Sequence, residues 1–177
     1  MIINISEILS TAKKSETYSV PIEMDAFVMN GDSFALTEKA PVALTITNIG
    51  NREISIQGHI DVVLNIPCDR CLEDVPTALS MDVDKTIDMK KTDEERINDL
   101  DETCYIDHSS LDVERLVSNE ILIHFPMKTL CREDCKGICF KCGQNLNLGE
   151  CGCDRASLDP RMSAIQDIFK NFNSDMD

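Results

Sequence analysis

Five cysteines fall within the nineteen residues CKGICFKCGQNLNLGECGC, Cys135 to Cys153. Thiols at this density close disulfides, exchange electrons or bind a metal. The chain holds nine cysteines in all, an odd count that suits no complete disulfide framework. Its opening, MIINISEILSTAKKSETYSV, has no basic run ahead of an apolar stretch and no small-residue cleavage site. No apolar run is long enough to cross a membrane. The expectation is a cytosolic protein whose thiols stay reduced.

Metal binding is then the chemistry to weigh. Cys139-Phe140-Lys141-Cys142-Gly143 has the spacing of a knuckle, in which two thiolates reach one tetrahedral ion at about 2.3 Å. Gly143 stands where the chain usually needs positive φ. Thiolate ligands favour the borderline-soft, redox-inert Zn²⁺. Cys131, Cys135, Cys151 and Cys153 are available to complete the set. Local spacing favours Cys135, Cys139 and Cys142 with one of Cys151 or Cys153. A segment with glycines at 137, 143, 149 and 152 and few large apolar groups has little to fold around without an ion. The site reads as structural, because catalytic zinc usually recruits His and His59, His108 and His124 lie outside the cluster.

Cys68-Asp69-Arg70-Cys71 repeats the spacing and admits three readings. A redox pair needs a helix N-terminus to hold its thiolate, yet strand-like sequence flanks it. It could join Cys139 and Cys142 in a four-thiolate ribbon. It could also be a turn with buried small side chains and Arg70 at its tip. Cys104 stands alone.

The elements that must position these thiols come from periodicity. Alternating apolar residues predict strands over Ala43–Asn48, Glu53–Ile66 and Val75–Met89. The turn Ile49-Gly50-Asn51 joins the first two, and Cys68–Cys71 falls at the tip joining the second two. Pro21–Phe27 is a candidate edge strand. Lys90–Glu102 is highly charged, a connector or a loosely held helix. A helix is predicted from a Ser110 cap to about Ile123, with Leu111, Leu116, Ile121 and Leu122 on one face and Pro126 ending it. A last helix starts at Asp159-Pro160, with Met162, Ile165, Ile168, Phe169 and Phe172 as its apolar stripe. The fold class is therefore α+β: an antiparallel meander or partly closed barrel, flanking helices and a small C-terminal zinc knuckle. Residues 1–126 make a β-rich domain with a connector near 90–103 and a helix near 110–123. Residues 127–177 hold the cysteine-rich segment and the final helix.

Charge narrows the partners. The net charge is -15, which disfavours general binding to polyanions. It is uneven: residues 127–161 carry six Lys/Arg against five Asp/Glu, residues 162–177 one against three, leaving -14 on residues 1–126. The cysteine-rich segment is the least acidic face. No phosphate-cradling glycine loop, GxSxG or HExxH occurs. The acidic pairs at Glu94-Glu95 and around Asp99, Asp101 and Glu102 read as a solvated connector rather than a paired-carboxylate site.

Four stretches together resemble the large ribosomal RNA subunit accumulation (YceD-like) family in its cysteine-bearing form. They are MIINISEIL, CDRCLEDV, CKGICFKCGQNLNLGECGC and DPRMSAIQDIF. That family's knuckle usually reads Cys-Pro-x-Cys-Gly, and Phe140 stands here in place of the proline. The resemblance implies a cytosolic bacterial protein, mostly antiparallel β, with no enzymatic activity and a role in accumulating large-subunit ribosomal RNA. Its genes often neighbour that of a small zinc-bearing large-subunit ribosomal protein, which suggests a partner. Contact would run through a local cationic patch (Arg70, Lys136, Lys141 and Arg155, with Lys128, Arg132 and Arg161 nearby) or through a basic ribosomal protein drawn to the acidic surface. Two rival readings are a thiol or metal carrier built on Cys68 and Cys71, and an acidic adaptor that docks through the stripe Met162–Phe172.

Overall fold

A computed structural model describes residues 1–91, 95 and 104–153. The predicted C-terminal helix, most of the charged connector, Arg155 and Arg161 lie outside the described residues.

The structure is built on one long hairpin. Strand β6 (Glu53–Pro67) pairs along its whole length with β7 (Asp74–Asp88), in register from Glu53↔Asp88 to Pro67↔Asp74. The even-numbered residues of β6 supply the reason. Ile54, Ile56, Ile60, Val62, Leu64 and Ile66 are all buried, the period-two signature of a strand with one face on a core. Gly58 continues that face, and a Cβ there would lie 2.5 Å from the Ala43 carbonyl, so only glycine lets the neighbouring strand approach. Met81, Val83 and Ile87 of β7 extend the same face.

The other edge of β6 is shared end to end by two strands. β5 (Val42–Gly50) pairs with its first half and β4 (Asp32–Lys39) with its second. Ala40-Pro41 interrupts them, as a proline that cannot donate to a ladder must. β5 then pairs with β2 (Ser15–Val20) and β4 with β3 (Ala26–Met29). The result is the predicted antiparallel meander with two outer branches. The partly closed barrel is corrected: β7 lies on the far edge of β6, and among the described residues no pairing links the outer strands into a ring. The edge strand expected at Pro21–Phe27 begins later, at Ala26, because Asn30-Gly31 (φ 54° and 95°) sets a two-residue hairpin turn between Met29 and Asp32.

A smaller sheet orders β1 (Ile2–Asn4), β9 (Ser110–Asp112) and β8 (Ile106–Asp107). The short helix α1 (Ser6–Ser10) follows β1. The buried Asn48 Nδ2 of β5 donates to the carbonyls of Ile8, Leu9 and Thr11 at its end. Helix α2 (Val113–His124) starts two residues later than a Ser110 cap predicts. Ser110 pairs in β9, and the Asp112 carboxylate accepts from the N–H groups of Glu114 and Arg115 instead. Its buried face is Val113, Leu116, Val117 and Ile121, while Leu122 is exposed. Lys85 of β7 reaches the buried Glu120 of this helix at 2.7 Å.

Phe125 ends α2 in an extended conformation, as a residue before proline prefers. Its ring packs against Phe27 and Phe34 with centroids 6.0 and 5.0 Å away. That contact fixes where the chain leaves the body and enters the cysteine-rich segment.

Candidate metal centre

The β6–β7 hairpin does not close in a two-residue turn. It carries a six-residue tip, Cys68 to Glu73. The Cys68 N–H donates to the Glu73 carbonyl (2.8 Å), the Leu72 N–H to the Cys68 carbonyl (2.9 Å), and Leu72 sits at φ 63°. The knuckle at Cys139 repeats these bonds. The Cys139 N–H donates to the Gln144 carbonyl (2.8 Å), the Gly143 N–H to the Cys139 carbonyl (2.8 Å), and Gly143 sits at φ 74°. The two Cys-x-x-Cys motifs thus fold alike, with leucine at the left-handed position of one and glycine at that of the other.

Each motif belongs to a group of four. Cys68 and Cys71 meet Cys131 and Cys135, while Cys139 and Cys142 meet Cys151 and Cys153. Within each group all Sγ atoms lie within 4.8 Å of one another. Cys68 and Cys135 are 3.9 Å apart, and Cys71 and Cys131 3.5 Å. None of the nine cysteines is joined in a disulfide. These separations are far longer than a disulfide bond. They match the edge of about 3.8 Å expected for a tetrahedron whose sulfurs stand about 2.3 Å from its centre.

The electrostatics suit a cation. Burial raises Cys68, but the N–H groups of Cys131, Cys71 and Arg70 outweigh it and bring the thiol down to about 6. The N–H groups of Cys142 and Lys141 bring Cys139 to about 6 in the same way. Their neighbours pay in the opposite direction. At Cys71 the Glu73 N–H favours thiolate, yet burial and the three nearby sulfurs push it up to about 12. Cys153 is pushed up to about 12, chiefly by Cys142 and then by burial. A few thiolates therefore form unaided, and their charge keeps protons on the rest. A divalent cation at the centre removes that repulsion. The donor set, four sulfurs with converging N–H groups, fits zinc.

Polar residues hold the two groups against each other. Asn147 Nδ2 donates to the Cys135 sulfur at 3.2 Å, while its Oδ1 accepts from the Lys136 N–H and from Arg132, both at 2.8 Å. Asn145 donates to Glu73 at 2.8 Å, and the Cys71 thiol points at the other Glu73 oxygen (3.7 Å). Thr129 and Asp69 exchange two bonds: the Thr129 N–H donates to the Asp69 carboxylate (2.7 Å) and the Asp69 N–H to the Thr129 carbonyl (2.9 Å). The Ile138 N–H donates to the Arg70 carbonyl (3.0 Å), and a Cβ on Gly137 would lie 2.9 Å from that oxygen.

The residues predicted from sequence are distributed differently from local spacing. Cys139, Cys142, Cys151 and Cys153 come together, and Cys135 joins the hairpin instead. Cys68 and Cys71 belong to a four-thiol group, though with Cys131 and Cys135 rather than with Cys139 and Cys142. Cys104 is exposed and outside both. Arg70 is exposed overall, but its Nη1 donates to the carbonyls of Cys135 (2.9 Å) and Glu133 (3.3 Å). Its guanidinium therefore holds the loop. Lys136 and Lys141 are exposed. Cys131, Asn145 and Asn147 were not singled out as partners of the hairpin. The signal for Cys131 was arithmetic: setting Cys104 aside leaves eight cysteines, two complete sets of four.

Residues 56–169 match the family described as "Large ribosomal RNA subunit accumulation protein YceD". The chain is 26% identical over 124 residues to "Uncharacterized protein YlbN" of Bacillus subtilis, covering 70% of each. It is 24% identical over 152 residues to "Uncharacterized protein ML1660" of Mycobacterium leprae, covering 86% of this chain and 61% of that protein's length. No solved structure matches.

Proposed function

This chain belongs to the large ribosomal RNA subunit accumulation protein YceD family, and from that premise we propose that it acts as an assembly or stabilising factor for the large ribosomal subunit. What carries the reading is the span of the family match, residues 56–169, which takes in nearly all of the long hairpin and both thiol groups. In this reading Cys139, Cys142, Cys151 and Cys153 bind a structural zinc ion. The proposed role needs no catalysis, and a site with four protein ligands leaves no coordination position for a substrate. It works in the cytoplasm, where the precursor is built. No helix among the described residues is long and apolar enough to cross a membrane.

The partner on the precursor is a basic ribosomal protein, recognised by the acidic body. Asp61, Asp82 and Asp84 are exposed on the outward face of the β6–β7 hairpin, opposite its apolar face. His59 bridges Asp61 and Asp82 at 3.1 and 2.7 Å, and the net negative charge left on this rigid face favours fast, salt-sensitive association with a cationic surface. Direct RNA contact is a second reading, favoured by Phe140. This residue is 70% exposed at the knuckle tip and stands beside Lys141, an arrangement suited to stacking on an unpaired base. A carrier role for Cys68 and Cys71 fits less well, since both side chains are buried.

Sedimentation of a lysate through a density gradient, at low and high salt, tests the proposal. The protein is expected with large-subunit precursors and is released as salt rises. Recovery only at the top of the gradient at both salts overturns stable association. Asp82→Lys with Asp84→Lys is expected to abolish co-sedimentation if a basic protein is the partner. Lys136→Glu with Lys141→Glu does so if the contact is RNA.

A further inference from the structure

The group at the hairpin tip is not the knuckle that local spacing predicts, and its geometry has a different consequence. Its thiols come from segments about sixty residues apart: Cys68 and Cys71 from the β6–β7 tip, Cys131 and Cys135 from the chain leaving α2. Cys68, Cys71 and Cys135 are buried, and among the described residues the apolar side chains packed against them are Val75 and Leu130. Between His124 and Cys153 the structure has no helix or strand, only one isolated bridge between Ile138 and Asn145. So little apolar surface cannot by itself hold a segment of that length in one place.

We propose that Cys68, Cys71, Cys131 and Cys135 form a second metal site that takes a zinc-like divalent cation and clasps the hairpin tip to the segment following α2. The Sγ separations of 3.5 and 3.9 Å already approach a tetrahedral edge. Four thiolates select a borderline-soft ion over Mg²⁺ or Ca²⁺, which require oxygen. Asn147 supplies the outer support that metal ligands usually have, through its bond to the Cys135 sulfur. Asn147 lies on the loop between Cys142 and Cys151, the two halves of the other site, so the second site is supported by the loop that the first one closes. Loading displaces the remaining thiol protons to solvent, with no oxidant or reductant involved. The inference is independent of any ribosomal role.

Cys131 gives the decisive readout. It is exposed, as is Cys104, which lies in neither group. Full-length protein purified without chelator is treated with an alkylating reagent, with and without prior chelation, and the labelled positions are mapped by mass spectrometry. Cys131 is expected to resist labelling in the untreated protein, at least tenfold more slowly than Cys104, and to label at a similar rate once the metal is removed. Equal labelling of Cys131 and Cys104 before chelation overturns the proposal. Cys68→Ser with Cys71→Ser is the second arm and is expected to lower the bound metal from two ions per chain to one. A variant that keeps the wild-type count overturns the proposal as well.

Discussion

The β body and the cysteine-rich segment are both ordered, but different forces order them. The body buries a continuous sheet face in which Ile54, Ile56, Ile60 and Leu64 are fully enclosed. Each such side chain contributes about 1.5–3 kcal/mol relative to exposure. The segment from Phe125 to Cys153 has almost no such face. It is held by thiol clusters, by amide bonds from Asn145 and Asn147, and by backbone bonds to Asp69 and Arg70. One region therefore depends on the amount of apolar area removed from water, the other on a few directional bonds around sulfur. The two should fail under different conditions.

The sharpest separation comes from removing metal. Structural four-ligand zinc sites contribute on the order of 10–16 kcal/mol at neutral pH. Chelation is expected to abolish hydrogen-exchange protection between residues 129 and 147 while leaving that of β5, β6 and β7 in place. Loss of protection in both regions together would dissolve the distinction. Acid should act in the same direction. Between about pH 6 and 12 the free sites still carry protons, on Cys71 and Cys153 among others. Metal affinity therefore rises with pH across that window. Below about pH 6, Cys68 and Cys139 also take up protons, so affinity falls more steeply. Metal retained after dialysis at pH 5 is expected to be far below that at pH 8.

Ile56→Ala should do the reverse, destabilising the body by about 2–5 kcal/mol. Chemical denaturation reads that loss, with the metal content of the folded fraction unchanged. Asn147→Ala has a smaller effect confined to the segment: about 10- to 100-fold weaker metal affinity at the hairpin-tip site. Competition with a chelator of known affinity measures it, and thermal stability of the body should not move. Asp112→Ala sharpens the comparison from the other side. Losing the cap of α2 costs about 1 kcal/mol and is read as a lower denaturation midpoint without change in metal content.

How far the sequence reaches follows the same division. The strands over Ala43–Asn48, Glu53–Ile66 and Val75–Met89 were legible because alternation is local, and burial then repeats it residue by residue. The dipeptide Asn30-Gly31 is itself a plain signal for the hairpin of β3 and β4. β1, β8 and β9 are only two or three residues long, too short for a pattern; β1 exists through pairing with the distant β9, and β8 as the other arm of a tight hairpin with β9. Ser110 and Asp112 were both chemically suitable caps, and the choice fell to the pairing of Ser110 with Asn4. At the thiols, spacing identified metal chemistry but not its partition. Cys135 is four residues from both Cys131 and Cys139, so local distance cannot assign it. The assignment is made by the register of β6 and β7, which brings a tip some sixty residues away in sequence beside it.

Whether metal holds the cysteine-rich segment is decided by the mass of the intact full-length chain under native conditions, before and after acid denaturation. Two loaded four-thiol sites give a native mass higher by two zinc-like ions, both lost on denaturation. A native mass equal to that of the bare chain, or higher by a single ion, would contradict two-site loading.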